Sequence, residues 1–345
     1  MNAHRLSQRL RSSLRGWGGV GAMAVACVLT VVFVLLPLSQ SKGADGSVGT
    51  GGQGVADGRQ AKAEECANPQ DQSLSPTGGG ATTTIDEIKA RKDRRLIVGV
   101  DTNSYRWGYL DPTNASGALE GFDIDLVHRI AQDILGDPNA VSFKAIPTSR
   151  RIEAIESGEV DMVVRTMTIT CDRIEQVAFS APYFRTGQQV LAPKNSTITG
   201  YNATLADKKV CSAESSTALD NLTADKGDKI PASTDISTTV PNQLDCLVKL
   251  QLGEVDAVVT DGALAASQAA QDPAVELKGA PFTDEYYGVA MNLKADDLVR
   301  QVNRTLRNYI DDGGWQASYA KWLHATLDQG EKKSPSATPP TAHYR

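Results

Sequence analysis

Short apolar runs alternate with stretches of helical periodicity through the middle of the chain. Leu96–Val100 is rich in β-branched residues and stops at Asp101, which predicts a buried strand, whereas apolar residues at helical spacing predict a helix over residues 122–135. The same patterns predict strands over 141–146, 160–164, 209–212, 256–259 and 288–291 and helices over 149–156, 242–252, 296–310 and 315–323, with a further helix from Ser216. Strands and helices that alternate through short links predict α/β sheets with helices on their faces.

One arrangement of elements occurs twice in the sequence. Residues 156–161 and 252–256 each combine the end of a predicted helix, a turn that contains glycine and the start of a predicted strand. This repetition predicts two lobes of the same architecture. Ligands of open α/β sheets bind at the carboxyl ends of the strands, so residues at such ends are candidates for ligand binding. By position these are Asp101, Thr166, Thr168 and Asp261.

An uncharged apolar run near the start of the chain predicts a membrane segment. Residues 19–38 are long enough to cross a bilayer, which needs roughly 20 apolar residues, and only basic ionisable side chains precede them. Because a positively charged flank stays in the cytoplasm, residues 1–18 are predicted to be cytoplasmic and the rest extracytoplasmic. The run is interpreted as a retained anchor or uncleaved signal. The alternatives are cleavage near residues 39–41 and a lipoprotein that begins at Cys27.

Both ends of the exported part have the composition of unfolded segments. Residues 39–84 are rich in Gly, Ser, Thr and Ala, and residues 330–345 are polar and rich in proline. Such segments bury too little apolar surface to offset the loss of chain entropy on folding. The sequence therefore predicts a flexible stalk over 39–84 and a disordered tail over 330–345.

Charge and cysteine content narrow the class of protein. The 345 residues carry a formal net charge of −6 without a basic cluster in the body of the chain, which argues against nucleic-acid binding. Four cysteines follow the apolar run, and an even number in an exported segment predicts disulfide bonds, with three alternative pairings. They are Cys66, Cys171, Cys211 and Cys246. Their spacing fits no zinc motif, and neither a metal nor a cofactor is predicted.

Three motifs give the chain a family resemblance. They are Gly-Phe-Asp-Ile-Asp-Leu at 121–126, Thr-Met-Thr-Ile-Thr at 166–170 with Arg173 after it, and Phe-Ser-Ala-Pro-Tyr at 179–183. With these motifs, residues 95–323 resemble family 3 extracellular solute-binding proteins, in particular the glutamine/glutamate-binding members of actinobacteria. The resemblance implies a two-lobed periplasmic-binding-protein fold of type II, in which each lobe is a mixed sheet with helices on both faces. Lobe 1 would comprise 93–187 and 288–327, lobe 2 would comprise 188–287, and two crossing strands near 189–191 and 287–289 would form the hinge.

The resemblance also implies a ligand and a binding site. The ligand would be a free polar or acidic amino acid: glutamate, aspartate, asparagine or glutamine. Its α-carboxylate needs a cation, for which Arg173 offers a two-pronged donor, while Asp261 would bind the α-ammonium group and Arg151 a side-chain carboxylate. The remaining contacts implied are Thr168, Thr166, Ser216 and Thr217 around the α-carboxylate and Trp107 and Tyr109 along the aliphatic part.

Some of these residues have purely structural alternatives. Asp261 could cap the helix that follows it, and Arg151 could pair with Glu153 or Glu156 on an exposed face. Both Trp107 and Tyr109 could belong to the core.

The resemblance further implies two disulfide bonds. They pair Cys66 with Cys171 and Cys211 with Cys246, and the first ties the predicted stalk to lobe 1.

The chain is thus interpreted as an extracytoplasmic monomer, tethered to the membrane by its N-terminal segment, that closes two lobes around an amino acid. Its partner would be an ABC permease for uptake or a membrane-bound sensor protein. The alternative is a dehydratase-like enzyme on the same fold, which would need a general acid–base group in the cleft. Glu214 near the cleft could serve as an acid, but none of the histidines lies at a predicted strand end that faces the cleft, which favours a binding protein without catalytic activity.

Overall fold

The computed structural model describes residues 66–111, 113, 117–328 and 334–345. The predicted cytoplasmic segment, the predicted membrane run 19–38 and residues 39–65 of the predicted stalk lie outside the described residues. Within the described ranges, no helix combines the length and the apolar character needed to cross a membrane.

Fifteen strands and ten α-helices make up the part of the chain that the structure describes. The strands are β1 (Leu96–Val100), β2 (Asn103–Ser104), β3 (Gly108–Leu110), β4 (Leu119–Glu120), β5 (Val141–Ala145), β6 (Met162–Val163), β7 (Ala178–Phe179), β8 (Phe184–Thr186), β9 (Gln188–Pro193), β10 (Lys209–Ala213), β11 (Asp235–Val240), β12 (Ala257–Asp261), β13 (Val275–Lys278), β14 (Glu285–Tyr287) and β15 (Ala290–Met291). The helices are α1 (Thr83–Ala90), α2 (Phe122–Leu135), α3 (Arg151–Glu156), α4 (Cys171–Ile174), α5 (Thr217–Asp225), α6 (Gln243–Gln251), α7 (Gly262–Gln271), α8 (Asp296–Asp311), α9 (Gly314–Trp322) and α10 (His324–Leu327).

Two five-stranded sheets define two lobes with the same topology. Lobe 1 has the order β5-β1-β6-β15-β7 and lobe 2 the order β11-β10-β12-β9-β13. In each sheet the first three strands are parallel and the last two join in antiparallel register. Apolar clusters pack on both faces of each sheet against the flanking helices. The predicted fold class, two α/β lobes with mixed sheets, is confirmed.

The repeated sequence pattern corresponds to a repeated turn. Gly158 and Gly253 both have φ of 71°, a left-handed conformation that favours glycine, and each ends the turn before a central strand. The aspartates that follow play the same part, because Asp161 accepts from the N–H of Ile97 and Asp256 from that of Lys209, each at 2.8 Å. Each aspartate therefore fixes the start of the neighbouring strand.

A two-stranded ladder connects the lobes. Strand β8 pairs with β14 in antiparallel register, and the chain passes between the lobes through both. The hinge lies a few residues earlier than the sequence suggests, because residues 189–191 pair within the sheet of lobe 2 as part of β9.

The described part of the predicted stalk packs against lobe 1. We call residues 66–76 the strap. The Ser73 hydroxyl donates to Phe179 O at 2.8 Å, and the amide of the fully buried Asn303 donates to Ser73 Oγ at 2.8 Å and Leu74 O at 2.7 Å. Asn303 also accepts from the N–H of Ala181, which clamps the strap to the body of the lobe. The composition of the strap does not predict these contacts, because the residues that it contacts lie far away in the sequence.

The C-terminal residues 334–345 also differ from the predicted disordered tail. The Ser334 N–H donates to Asp328 Oδ1 at 2.7 Å, Ser336 is buried, and the Arg345 N–H donates to Ser73 O at 3.0 Å. Proline lowers the entropy that a segment loses on ordering, which favours such docking of a polar stretch.

Two disulfide bonds are present, with the pairings that the resemblance implies. Cys66–Cys171 joins the start of the strap to the first residue of α4, and Cys211–Cys246 joins β10 to α6 within lobe 2.

Candidate functional site

A small polar cavity lies between the two lobes, and residues of both lobes line it. Among the described residues that line it, all but Ala218 are polar or charged, which suits a small polar ligand. Lobe 1 contributes Arg151, Thr166, Thr168 and Arg173, and lobe 2 contributes Ser216, Thr217, Ala218, Gln243, Thr260 and Asp261. Seven of the residues predicted from the sequence meet here: Arg173, Thr168, Thr166, Asp261, Arg151, Thr217 and Ser216.

Arg173 reaches the cavity from the single turn of α4. Thr170 caps this turn, with its hydroxyl accepting from the N–H of Arg173 at 3.3 Å. The Arg173 guanidinium donates to Thr168 O at 2.8 Å in lobe 1 and to Ser215 O at 3.0 Å in lobe 2. Burial lowers the pKa of this guanidinium, since only 7% of the residue is exposed. A buried fork of donors is the geometry that recognises a carboxylate.

Arg151 provides a second buried cation. It begins α3, and its Nε donates to Thr148 O at 3.0 Å while its Nη2 lies 3.4 Å from Ser215 O. Burial, followed by the charges of Arg173 and Arg165, holds its pKa well below the usual value. The alternative of an exposed pair with Glu153 is wrong, because the side chain of Arg151 is buried. Two guanidinium groups that disfavour each other favour an anion between them.

Asp261 supplies the negative charge of the lining. It ends β12 in lobe 2, and the Tyr287 hydroxyl donates to its Oδ2 at 2.6 Å. Its side chain makes no capping hydrogen bond to α7, so the structural alternative of a helix cap does not hold. Burial and the nearby charge of Glu285 raise the pKa of Asp261 to about 7.

Thr166 has a strained backbone that a buried carboxylate supports. Its φ is 42°, in the left-handed region that a β-branched residue rarely adopts. The Thr166 N–H donates to Asp123 Oδ2 at 3.0 Å, and the Tyr183 hydroxyl donates to Asp123 Oδ1 at 2.9 Å. Asp123 thus holds Thr166 against the cavity. It belongs to the motif at 121–126, which was the only sequence signal of its importance.

Ser216 and Thr217 lie at the start of α5 and close the cavity from lobe 2. The Ser216 hydroxyl accepts from the N–H of Leu219 at 3.2 Å as the helix cap, and its own N–H donates to Ala213 O. Thr217 Oγ1 accepts from the Gln188 amide at 2.9 Å and donates to Glu285 at 3.3 Å.

Asp101, a candidate by its position at a strand end, lies outside the cavity lining. Its Oδ2 forms an ion pair with Arg165 at 2.9 Å, and its oxygens also accept from the N–H of Thr102 and Asn103 and the hydroxyl of Ser104. Because these contacts occupy the carboxylate, its role is to hold the loop after β1 in place.

The two aromatic candidates are not brought to the cavity either. Trp107 is fully buried among rings that include Phe122 and Phe184, and its indole N–H donates to Ser267 Oγ in lobe 2 at 3.2 Å. Tyr109 packs against Trp322 on the outside of lobe 1. The structural alternative, in which Trp107 belongs to the core, is the one observed.

Four residues at or beside the cavity are absent from the sequence prediction. Thr260 and Ala218 neighbour predicted residues, and the polar start of α6 carries no sign that Gln243 lines a site. Arg165 could have been predicted from its position, because a charged residue that follows the apolar strand β6 is either paired and buried or functional.

The fold and the cavity define a class: a two-lobed binding protein that encloses a small polar ligand between its lobes. The chain belongs to the bacterial extracellular solute-binding proteins, family 3, whose family model matches residues 96–325. It is 34% identical over 239 residues to the ABC transporter glutamine-binding protein GlnH of Bacillus subtilis (strain 168), covering 69% of this chain and 85% of that protein.

Two further comparisons agree with the family. The chain is 27% identical over 263 residues to the glutamate-binding protein GluB of Corynebacterium efficiens, covering 73% of this chain and 85% of the relative. The crystal structure of a solute receptor for L-cysteine of Neisseria gonorrhoeae superposes with a TM-score of 0.67 at 29% identity, covering 76% of this chain and all of that one.

Proposed function

We propose that the cavity binds a free amino acid with an acidic side chain, glutamate or aspartate, in preference to the amides asparagine and glutamine. Three ionisable residues that line one small cavity carry this proposal: Arg173, Asp261 and Arg151. Arg173 would bind the α-carboxylate, Asp261 the α-ammonium group and Arg151 the side-chain carboxylate. The charged residues of the lining sum to one excess positive charge when Asp261 is ionised, which complements a ligand of net charge −1.

The setting follows from the family. A member of the extracellular solute-binding proteins acts outside the cytoplasm, and we propose that residues 19–38 tether this monomer to the membrane as an anchor or that Cys27 does so as a lipoprotein. The closed form would then deliver its ligand to an ABC permease, which the name of the Bacillus subtilis relative supports, or report it to a membrane-bound sensor.

A dehydratase-like activity has no specific observation in its favour. The relatives named above are binding proteins. Two of the histidines contact Pro138 and Asp328, away from the cavity: His128 and His324.

A pair of adjacent arginine variants tests the side-chain assignment. Arg151→Gln removes the buried cation, so we expect the full-length chain to lose about 100-fold in glutamate affinity by isothermal titration calorimetry, since breaking a buried charge pair costs roughly 2–5 kcal/mol. Glutamine affinity should fall much less, which would reverse the preference. Arg150→Gln is the control, because Arg150 is half-exposed and pairs with Glu153 and Glu159. Unchanged glutamate binding in Arg151→Gln would contradict the assignment, and no binding of any amino acid to the wild type would overturn the ligand class.

A further inference from the structure

One buried arginine joins the two lobes without lining the cavity. Arg165 follows β6 in lobe 1, is fully buried, and is not among the described residues that line the cavity. Its guanidinium donates to Asp101 Oδ2 at 2.9 Å and Thr148 Oγ1 at 3.0 Å within lobe 1. It also donates to Asn242 Oδ1 at 3.0 Å, across the cleft in lobe 2.

The lobe 1 side of this contact is rigid. The Asp101 carboxylate that holds Arg165 accepts from the N–H of Thr102 at 2.7 Å, the N–H of Asn103 at 3.0 Å and the hydroxyl of Ser104 at 2.8 Å. The Arg165 Nη2 that Asp101 holds is also the donor to Asn242, so this donor faces lobe 2 in a fixed place and lobe 2 must approach in one register to meet it.

The lobe 2 side of the contact is the start of α6. The Thr148 N–H donates to Pro241 O at 3.0 Å, and the Thr148 hydroxyl donates to Gln243 Oε1 at 3.2 Å. Asn242 lies between them and caps α6, with Asp245 Oδ2 accepting from its N–H at 3.3 Å. Consecutive residues 241–243 thus dock onto lobe 1 through hydrogen bonds that do not require a ligand as a bridge.

We propose that Thr148, Arg165 and residues 241–243 form a closure latch that sets the affinity of the cleft by stabilising the closed form. The latch acts on the proposed function, since a ligand held by both lobes binds the closed form and its apparent affinity scales with the closed fraction. Arg165 is in this view a positioning residue, which contributes to binding through lobe closure and not through contact with the amino acid.

Three asparagine variants separate the latch from the helix cap. Asn242→Ser keeps a good capping side chain but is too short to reach Arg165, whereas Asn242→Asp keeps an oxygen at the original reach. Asn202→Ser is the matched control, because Asn202 caps the short helix Ala203–Leu205 of lobe 2 away from the cleft.

Hydrogen exchange of the Thr148 amide in the full-length chain measures how often the latch opens in the absence of a ligand. This buried N–H donates across the lobes and exchanges when they separate. We expect Asn242→Ser to speed its exchange and to weaken glutamate binding by factors whose product is about tenfold, because the lost hydrogen bond to a charged group lowers the closing equilibrium about tenfold and the open and closed fractions share this change. Asn202→Ser should behave like the wild type, and Asn242→Asp, which keeps an acceptor for Arg165, should exchange more slowly at Thr148 than Asn242→Ser.

The outcomes separate the latch from the proposed function. Unchanged Thr148 exchange together with unchanged glutamate affinity in Asn242→Ser would overturn the latch, and faster exchange with unchanged glutamate affinity would overturn its role in setting affinity. Faster exchange in a protein that binds no amino acid in any form would uphold the latch and overturn the proposed function instead.

Discussion

Two buried aspartates, one in each lobe, are each paired with a tyrosine hydroxyl. Tyr183 donates to Asp123 at 2.9 Å and Tyr287 to Asp261 at 2.6 Å. Burial raises the pKa of both carboxyls from 3.8 to about 7. Between these values the folded state binds more protons than the unfolded state, so both groups lower the stability of the folded protein as the pH rises from 3.8 to about 7.

This shift makes amino-acid binding depend on pH. An α-ammonium group beside Asp261 favours the ionised carboxylate and lowers its pKa, so binding near neutral pH should release a proton and weaken as the pH falls below about 7. Calorimetric titration in two buffers of different ionisation enthalpy measures the release. Asp261→Asn should abolish the release and weaken binding. A proton count of zero in the wild type at neutral pH would contradict this role of Asp261.

The residues that could be predicted from the sequence are those that a local motif or strand end defines. Arg173, Thr168 and Asp261 follow from a motif or a strand end and meet at the cavity. Trp107 was misplaced because its partner Ser267 lies 160 positions away, and sequence pattern does not report contacts at that separation.

Among the elements, the strap and α4 form a connected unit. Helix α4 is one turn long and cannot be stable alone, because the conformational entropy lost in nucleating a helix exceeds the stabilisation that the hydrogen bonds of a single turn provide. The Cys66–Cys171 bond fixes its first residue to the strap, and Arg173 lies two residues further on. The strap therefore helps to hold Arg173 at the cavity.

Removing one disulfide at a time tests this connection. Cys66→Ala with Cys171→Ala opens a loop of 105 residues, so we expect a loss of about 2–5 kcal/mol in the free energy of unfolding together with weaker amino-acid binding. Chemical denaturation and calorimetry at a temperature where the protein stays folded give the two quantities. Cys211→Ala with Cys246→Ala controls for the loss of a disulfide as such, because it should also lower stability but its bond lies in lobe 2 and does not hold α4. Wild-type affinity in the Cys66/Cys171 variant would refute the coupling.

At the scale of secondary-structure elements, the sequence predicts the regular helices and strands well and the irregular segments poorly. The turns at Gly158 and Gly253 follow from a local pattern that both lobes share. The strap has the composition of a flexible linker, but partners far away in the sequence hold it, among them Asn303, 230 residues away.

At the scale of the whole molecule, two lobes of the same topology face each other. Neither lobe alone provides all the residues that line the cavity. Arg173 and Arg151 belong to lobe 1 and Asp261 belongs to lobe 2, so the opposite charges of a zwitterion are matched only when the lobes close. Closure would thereby couple the identity of the ligand to the arrangement of the two lobes.

The measurement that tests the central claim most directly is the thermal unfolding of the full-length chain in the presence of each of the twenty amino acids. A ligand at about 100 times its Kd adds roughly 2.7 kcal/mol of stability to the folded state, which raises the midpoint visibly. We predict that glutamate and aspartate raise the midpoint, that glutamine and asparagine raise it less, and that arginine and lysine leave it unchanged. A midpoint that no amino acid raises, or that arginine raises most, would contradict an amino-acid site built around two buried arginines.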